Sequence, residues 1–204
     1  MGILAIGAHP DDIEIGCGGT LHKFAAEGHG IYLMVMTLGD KGGDTAKRKA
    51  EQMKSAEILG AADVFFQGYE DTNLPMDKGT VDSIERVIHK ILPQYIFVNY
   101  KEDTHQDHRA LAKATISATR NIRNVLFYEV PTTHDFTPNV FVDITSVMER
   151  KVESLEAHSS QIMKTNVEGS SIMDIALSAA RFRGVQGRVK FAEGFVSQRL
   201  FLNI

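Results

Sequence analysis

Apolar residues follow two spacings that alternate along the first 130 residues of the chain. Short runs of aliphatic and β-branched residues are typical of buried strands, and apolar residues three or four positions apart are typical of helices packed on a sheet. Strands separated by helices pair in parallel, so the pattern predicts an α/β fold of the Rossmann-like three-layer αβα type, with a mostly parallel central sheet. The predicted strands are residues 3–7, 31–38, 64–67, 95–99 and 125–129, and the predicted helices are residues 18–27, 46–59, 81–92 and 105–119.

The alternation weakens after Pro131. From there on, the pattern predicts a strand at residues 139–144, helices at residues 147–158 and 171–183, and a last strand at residues 195–203. Neither an internal repeat nor a linker rich in Gly, Pro or Ser interrupts the chain. We therefore expect residues 1–204 to form one domain.

The composition is that of an ordinary globular protein, with 204 residues of which 43% are hydrophobic and 24% charged. This length excludes two large independent domains. The 22 basic and 26 acidic residues give a net charge of -4, which removes the electrostatic basis for binding nucleic acid or anionic membranes. The first apolar segment lacks the basic flank of a signal peptide, and the single Cys17 cannot form a disulfide within the chain, so we expect a cytoplasmic protein.

A first polar cluster follows the first predicted strand, with His9, Asp11, Asp12 and Glu14 in the turn that leads into a helix. Functional groups in open α/β sheets lie at the carboxyl ends of strands. The acidic residues have a simpler explanation too, because carboxylates are common at the N-termini of helices. This cluster alone does not decide between the two explanations.

A second cluster, with His105, Asp107 and His108, follows the fourth predicted strand. The first and fourth strands of a doubly wound sheet often flank its switch point, so both clusters are expected to face one crevice. Two histidines and one carboxylate form a catalytic divalent metal site, for which zinc is the first candidate. His9, Asp12 and one histidine of the second cluster are the plausible ligands. Adjacent carboxylates point apart, so one of the two aspartates is free to act as a general base.

The segment from Ala8 to Leu21 reads AHPDDIEIGCGGTL and resembles the opening signature of the LmbE-like or PIG-L family of zinc-dependent deacetylases. The first and the second cluster are the specific parts of the match, because they must occur in this order at the ends of two strands. Weaker matches extend the resemblance over nearly the whole chain, at residues 48–51, 58–60, 71–74, 158–161, 183–184 and 192–195.

The resemblance implies that His9, Asp12 and His108 hold Zn²⁺ and that Asp11 is the general base. Zinc would polarise an acetyl carbonyl and lower the pKa of its bound water toward ~7, while Asp11 takes the proton of that water. The implied activity is removal of the N-acetyl group from an N-acetylglucosamine-type amino sugar or its conjugate, by Asp-assisted attack of metal-bound water.

The resemblance also assigns groups around the metal. It implies that His105 is a cation near the substrate oxyanion, that Asp107 orients His105, and that Arg48 and Asp71 bind the substrate. Arg48 has a structural alternative as a surface residue paired with the glutamate three positions later. Some members of the family have a tyrosine near the second cluster, and here Tyr100 is the nearest candidate.

Other functions remain open at this point. An amidase acting on a sugar–thiol conjugate would use the same residues with a different acyl group. A non-catalytic nucleotide or metal sensor would not need a base and an oxyanion group beside its ligands. A two-metal phosphoesterase requires more clustered ligands than the chain offers. The expected partner is a small amino-sugar substrate, and the resemblance is compatible with a homo-oligomer.

Several further residues have mainly structural interpretations. Glu14 is expected to support the site or cap a helix, and Cys17 to be a buried apolar side chain. His158, Glu193 and His134 are weaker candidates for the pocket.

Gly16, Gly18 and Gly19 match neither a dinucleotide-binding nor a phosphate-loop motif, and we expect them to allow close packing of the first helix. The loop at residues 39–44 follows the second strand at the same sheet edge, where it would order over a substrate or remain solvated.

Overall fold

A computed structural model describes residues 1–165 and 167–201. In chain order its helices and strands are β1 (Gly2–Gly7), α1 (Asp12–Ala26), β2 (Gly30–Thr37), α2 (Thr45–Leu59), β3 (Ala61–Tyr69), α3 (Lys78–Ile91), β4 (Tyr95–Asn99), α4 (Gln106–Ala118), β5 (Asn124–Tyr128), β6 (Val140–Asp143), α5 (Met148–Glu156), α6 (Ile172–Gly187) and β7 (Ala192–Arg199). Short 3₁₀ turns at Asp40–Gly42 and Thr145–Val147 complete these elements.

The strands form one seven-stranded sheet in the order β3-β2-β1-β4-β5-β7-β6. The five strands β1 to β5 are mutually parallel, and β7 runs antiparallel to both of its neighbours. The chain reverses its direction of travel across the sheet between β1 and β4, which therefore flank the switch point. The Rossmann-like, mostly parallel α/β fold predicted from the sequence is confirmed.

Alternate residues of β1 bury into two different cores. Ile3 and Ala5 face the core that includes residues of α1 and α2, and Leu4 and Ile6 face the core that includes residues of α3 and α4. This alternation follows from the period of two in a strand, and it explains why the central strands read as unbroken apolar runs. The sheet is thereby fixed between two helical layers.

Helix α1 begins at Asp12, six residues before the position expected from the sequence. The three glycines near its start lower the helix propensity, which moved the predicted boundary too far along the chain. A Cβ at Gly16 would lie 2.0 Å from the Tyr128 ring, and one at Gly19 would lie 2.9 Å from Ile144. Close packing therefore explains Gly16 and Gly19, as expected, whereas a Cβ at Gly18 would meet nothing nearer than 3.5 Å.

The last strand also differs from its prediction. It begins at Ala192 instead of Phe195, and β7 inserts between β5 and β6. Residues 202 and 203 of the predicted strand lie outside the described residues. Strand β3 extends further in both directions than residues 64–67, and α6 continues to Gly187. Within the described ranges, no helix combines the length and apolar character needed to cross a bilayer.

Candidate metal centre and active site

The two polar clusters meet at the carboxyl edge of the sheet. His9 lies just beyond β1, and His105 and His108 lie at the start of α4, which follows the neighbouring β4. Asn99, the last residue of β4, accepts a hydrogen bond from the Ala8 amide at 3.2 Å and thereby joins the ends of the two strands. His9 and His108, which are 99 positions apart in the sequence, are thus in direct contact.

Three atoms that could act as metal ligands form a nearly equilateral triangle. His9 Nδ1 lies 3.2 Å from His108 Nε2, His108 Nε2 lies 3.3 Å from Asp12 Oδ2, and His9 Nδ1 lies 3.5 Å from Asp12 Oδ2. A tetrahedral site with bonds of about 2.0–2.1 Å separates its ligand atoms by about 3.3–3.4 Å. The spacing and the nitrogen and oxygen atoms fit a small divalent cation. Two overlapping groups could also hold a metal, namely His9, His105 and His108, and His9, Asp71, His105 and Asp107.

The charges in the cluster depend on one another. Burial disfavours the charged form of His108, but the Asp12 and Asp103 carboxylates outweigh burial and raise the pKa of His108 to about 9. Burial likewise opposes the charge of Asp12, and the neighbouring histidines hold its pKa well below the ordinary value. A cation at the centre of the triangle would replace the proton that these groups otherwise share.

Asp103 supports the cluster and was missed by the sequence analysis. Its Oδ2 lies 3.1 Å from His108 Nδ1, and its Oδ1 accepts a hydrogen bond from the His105 amide at 2.8 Å. Thr132 places its hydroxyl 3.4 Å from the same His108 nitrogen. A carboxylate on one imidazole nitrogen directs the other toward a metal. The position of Asp103, two residues before His105, was the sequence signal that could have indicated this role.

The second nitrogen of His9 lies between two carboxylates. His9 Nε2 is 3.0 Å from Asp71 Oδ1 and 3.2 Å from Asp107 Oδ2. These carboxylates fix the orientation of the ring, so that Nδ1 faces the triangle. Asp71, predicted to bind the substrate, lines the cavity but is already engaged with His9.

Asp107, predicted to orient His105, also makes contacts with other parts of the site. Its carboxylate accepts hydrogen bonds from the Thr72 and Leu74 amides at 2.8 and 3.1 Å, in addition to its contact with His9. Only its backbone amide contacts the His105 ring, by donating to Nδ1 at 3.2 Å. The carboxylate therefore anchors the loop after β3 and contacts His9, and it lies within 4.8 Å of His105 without a hydrogen bond to that ring.

His105 lines the cavity and stacks on His108, with ring centroids 4.7 Å apart. Burial and the nearby His9 and His108 lower the pKa of His105. Since Nδ1 accepts a hydrogen bond from the backbone, the proton of the neutral ring is on Nε2. The resemblance implied a cation at this position, whereas the surroundings of the ring favour a neutral donor.

Asp11 occupies an unusual backbone conformation at the start of α1. Its φ is 96°, in the region that favours glycine, and its carboxylate lines the cavity beside Asp12. Burial raises the pKa of Asp11 to about 6, although Arg48 and His158 pull it downward. A carboxylate with this pKa both accepts and releases a proton near neutral pH.

Arg48 is buried and not paired with Glu51 on a helix surface. It donates from Nη1 to the Gly39 carbonyl at 2.9 Å and from Nη2 to the Pro10 carbonyl at 2.8 Å. Nη2 also lies 3.7 Å from Asp11 Oδ2. Arg48 thus holds two loops of the site together, while Glu51 accepts hydrogen bonds from two serines of another loop.

A second buried network lies behind Asp11. Gln52 accepts a 3.4 Å hydrogen bond from the Asp11 amide and donates to Glu14 at 2.6 Å. Ser55 also donates to Glu14 at 2.6 Å, and His158 Nε2 lies 3.5 Å from the second Glu14 oxygen. Glu14 is therefore structural, as expected, and His158 does not reach the cavity. Gln52 was missed, although its spacing from Arg48 places both on one helix face.

The remaining candidates lie away from the metal cluster. Glu193 is buried in contact with α1 and α5, and His134 is exposed beside Asp135. Cys17 is buried, and burial raises the pKa of its thiol well above the usual value. Tyr100 packs between aromatic rings of the core instead of lining the site.

The clustered side chains open into a cavity of about 800 Å³. Part of its wall is formed by the loop after β2, where Gln161 and Lys164 donate to the Gly42 carbonyl. The loop is thus tied to the segment after α5. Beyond the predicted site residues, the lining includes Ile15, Lys41, Gly42, Thr72, Val130, Pro131, Thr132, Gln161, Met163, Lys164, Thr165, Val167, Glu168, Ile172 and Ile175.

Comparison with known families shows which family the chain belongs to. The family model described as PIG-L, GlcNAc-PI de-N-acetylase, matches residues 4–119, which is more than half of the chain and includes every residue of the metal cluster. The chain belongs to the PIG-L family. This finding confirms the LmbE-like resemblance drawn from the two polar clusters.

Curated relatives of this PIG-L chain include two proteins named as deacetylases. An uncharacterized deacetylase, YaiS, from Escherichia coli K12 is 35% identical over 168 residues, which cover 78% of this chain and 91% of the relative. The diacetylchitobiose deacetylase of Thermococcus kodakarensis is 31% identical over 190 residues, covering 78% of this chain and 69% of the relative. A 4-oxalmesaconate hydratase from Pseudomonas putida is 24% identical over 190 residues, covering 78% of this chain and 73% of the relative.

A solved structure supports the same grouping. The N,N'-diacetylchitobiose deacetylase of Pyrococcus horikoshii, in complex with an inhibitor, superposes with a TM-score of 0.86 at 27% identity. The match covers 97% of this chain and 83% of the other. The fold is therefore shared with a protein named as a deacetylase.

Proposed function

We propose that this protein is a zinc-dependent N-deacetylase of N-acetylglucosamine-type sugars or their conjugates. The observation that carries the proposal is the triangle of His9, Asp12 and His108 donor atoms, with the Asp11 carboxylate beside it in the same cavity. The names of the relatives support amide deacetylation. A small amino-sugar substrate fits a cavity of about 800 Å³.

His9, Asp12 and His108 would hold the ion. A bound Zn²⁺ would act as a Lewis acid on the acetyl carbonyl and lower the pKa of a water molecule. Asp11 accepts the proton of the attacking water, because its pKa of about 6 leaves the carboxylate ionised at neutral pH. The C–N bond then breaks, and the proton held by Asp11 is available to the departing amine.

His105 and the cavity rim orient the substrate. The Nε2–H of neutral His105 would donate a hydrogen bond to the carbonyl oxygen as negative charge develops there. Asp71 retains lone pairs for sugar hydroxyls besides those used by His9 and the Lys41 amide. Arg48 lines the same cavity with Nη2 3.7 Å from Asp11 Oδ2, so its guanidinium would place positive charge beside the substrate.

The test compares hydrolysis of N-acetylglucosamine and diacetylchitobiose by the zinc-loaded protein, with acetate and free amine both measured. We expect Asp11→Asn to lower kcat by about 10²–10⁴-fold while the zinc content is unchanged. Asp135→Asn, in an exposed loop, is the matched control. Absence of acetate release by the wild-type protein, together with equal behaviour of the Asp11→Asn variant, would overturn the proposal.

The same panel separates the alternatives. An amidase specific for a sugar–thiol conjugate would release a larger acyl group but no acetate. A nucleotide sensor would be stabilised by nucleotides in a melting assay without zinc. Since one relative is named as a hydratase, unsaturated dicarboxylic acids belong in the panel as well.

A further inference from the structure

A second, smaller cavity adjoins the candidate active site. It has a volume of about 210 Å³ and lies among α6, the residues after β5 and the start of β7. Four residues line both cavities, namely Ile15, Val130, Pro131 and Ile175. The two spaces therefore share an apolar boundary. We call the smaller one the side cavity.

The lining of the side cavity favours an uncharged group. Helix α6 contributes Ala176, Ala179 and Ala180, whose spacing places three small side chains on one helix face. Two ion pairs also line the space, and their charges are neutralised internally. Arg183 binds Glu129 through two hydrogen bonds of 2.6 Å, and Lys151 binds Glu193. No net charge is therefore offered to an occupant.

The strand order places the side cavity on one flank of the metal cluster. The polar groups Lys41, Arg48 and Asp71 belong to the loop after β2, to α2 and to the loop after β3, on the other flank. An amide carbonyl has two substituents, the sugar nitrogen and the acyl chain. If the polar flank binds the sugar hydroxyls, the acyl chain extends toward β5 and α6.

We propose that the side cavity is an acyl subsite, which admits linear aliphatic N-acyl groups longer than acetyl. This inference rests on the proposed function and specifies its substrate class. A volume of about 210 Å³ corresponds to roughly seven groups of the size of a water molecule. Acyl chains of about four to six carbons therefore fit. Water adds to the carbonyl carbon, the C–N bond breaks, and the products are the free amine and the short-chain carboxylic acid.

The test uses glucosamine carrying acetyl, butanoyl, hexanoyl or decanoyl groups, hydrolysed by the zinc-loaded protein. We expect the kcat/KM for hexanoyl to lie within about tenfold of that for acetyl, and the decanoyl substrate to be much poorer. Ala179→Leu fills the cavity, so the ratio of hexanoyl to acetyl kcat/KM should fall at least tenfold. Ser178→Leu, exposed on the same helix, is the matched control and should leave the ratio unchanged.

Binding of the product acids provides a readout that does not depend on turnover. Calorimetry should show that affinity increases about fourfold per added methylene from acetate to hexanoate, because each buried methylene adds to the hydrophobic stabilisation. This gain should disappear in Ala179→Leu. Thermal unfolding checks that the variant is folded, and Ala179→Val is the smaller substitution if it is not.

The outcomes distinguish the two proposals. Cleavage of acetyl but not hexanoyl substrates, or an unchanged ratio in Ala179→Leu, overturns the acyl subsite and leaves the deacetylase proposal intact. If no substrate is cleaved, the deacetylase proposal is contradicted. The acyl subsite is then overturned as well, unless calorimetry shows that hexanoate binding depends on Ala179. Hexyl glycosides of N-acetylglucosamine form the last arm. If Ala179→Leu impairs these and not the N-hexanoyl substrate, the cavity holds the aglycone and the acyl assignment is wrong.

Discussion

The buried ion pair of Glu193 and Lys151 provides the sharpest test of how the scaffold of the site is held. Glu193 Oε1 accepts a hydrogen bond from the Gly19 amide at 2.9 Å, and Oε2 accepts from the Thr20 amide and hydroxyl at 2.7 and 2.6 Å. Lys151 donates to the same carboxylate and to the Ile15 carbonyl at 2.6 Å. Both charged side chains are only 3% exposed. The pair thus joins β7, α1 and α5.

Glu193→Gln preserves the shape of the side chain and removes its charge. A buried ammonium without its counterion costs about 3–5 kcal/mol of folding stability. The new NH₂ group of the amide also faces another donor, which is Lys151 and the Gly19 amide in one orientation and Thr20 in the other. Two donors that face each other leave a hydrogen bond unmade, which costs about 1–3 kcal/mol more. We expect the free energy of unfolding to fall by about 4–8 kcal/mol, a large part of the 5–15 kcal/mol that is typical of a domain.

Urea unfolding followed by circular dichroism measures this change, with Glu149→Gln on the exposed face of α5 as the control. The double variant Glu193→Gln with Lys151→Met should be more stable than Glu193→Gln alone, because no uncompensated charge remains buried. A loss below about 1 kcal/mol for Glu193→Gln, or strict additivity in the double variant, would refute this reasoning.

Three other substitutions test the packing and the support of the site. Gly16→Ala places a methyl group 2.0 Å from the Tyr128 ring, so we expect urea unfolding to give a loss of about 1–3 kcal/mol or more. Arg48→Met leaves two backbone carbonyls without their charged donor, and the free energy of unfolding, from the same assay, should fall by about 2–4 kcal/mol. Asp103→Asn removes the carboxylate from His108, and chelator competition should show about 10–100-fold weaker zinc binding.

Matched variants make these outcomes decisive. Gly18→Ala meets its nearest neighbour at an ordinary 3.5 Å, and equal destabilisation of Gly16→Ala and Gly18→Ala would contradict the packing argument. Arg48→Lys retains the charge but not the two-armed geometry, so full stability in either Arg48 variant would show that the two loops do not depend on it. Unchanged zinc affinity in Asp103→Asn would remove Asp103 from the support of the metal cluster.

The central fold and the location of the site were predictable because both depend on local patterns. The apolar runs of β1 and β4 and the helical spacing between the strands determine a parallel sheet, and a parallel sheet brings the carboxyl ends of its strands to one edge. His9, Asp12 and one histidine of the second cluster follow from those ends, and the family resemblance implied that this histidine is His108. The start of α1 was misplaced because helix propensity penalises Gly16, whereas close packing against Tyr128 requires it.

The contacts within the site were decided by the tertiary structure. The sequence by itself determined which residue types reach the crevice, but only the tertiary structure shows that the Asp107 carboxylate contacts His9 as well as lying close to His105. Burial favours a neutral His105, and Arg48, predicted to bind the substrate, is buried and links two loops. The side cavity likewise depends on the tertiary structure, because its lining combines residues of α1, α5, α6 and β7 that are distant in sequence. Spacing along the chain specifies faces and edges, whereas burial, charge and hydrogen-bond partners depend on residues that are distant in sequence.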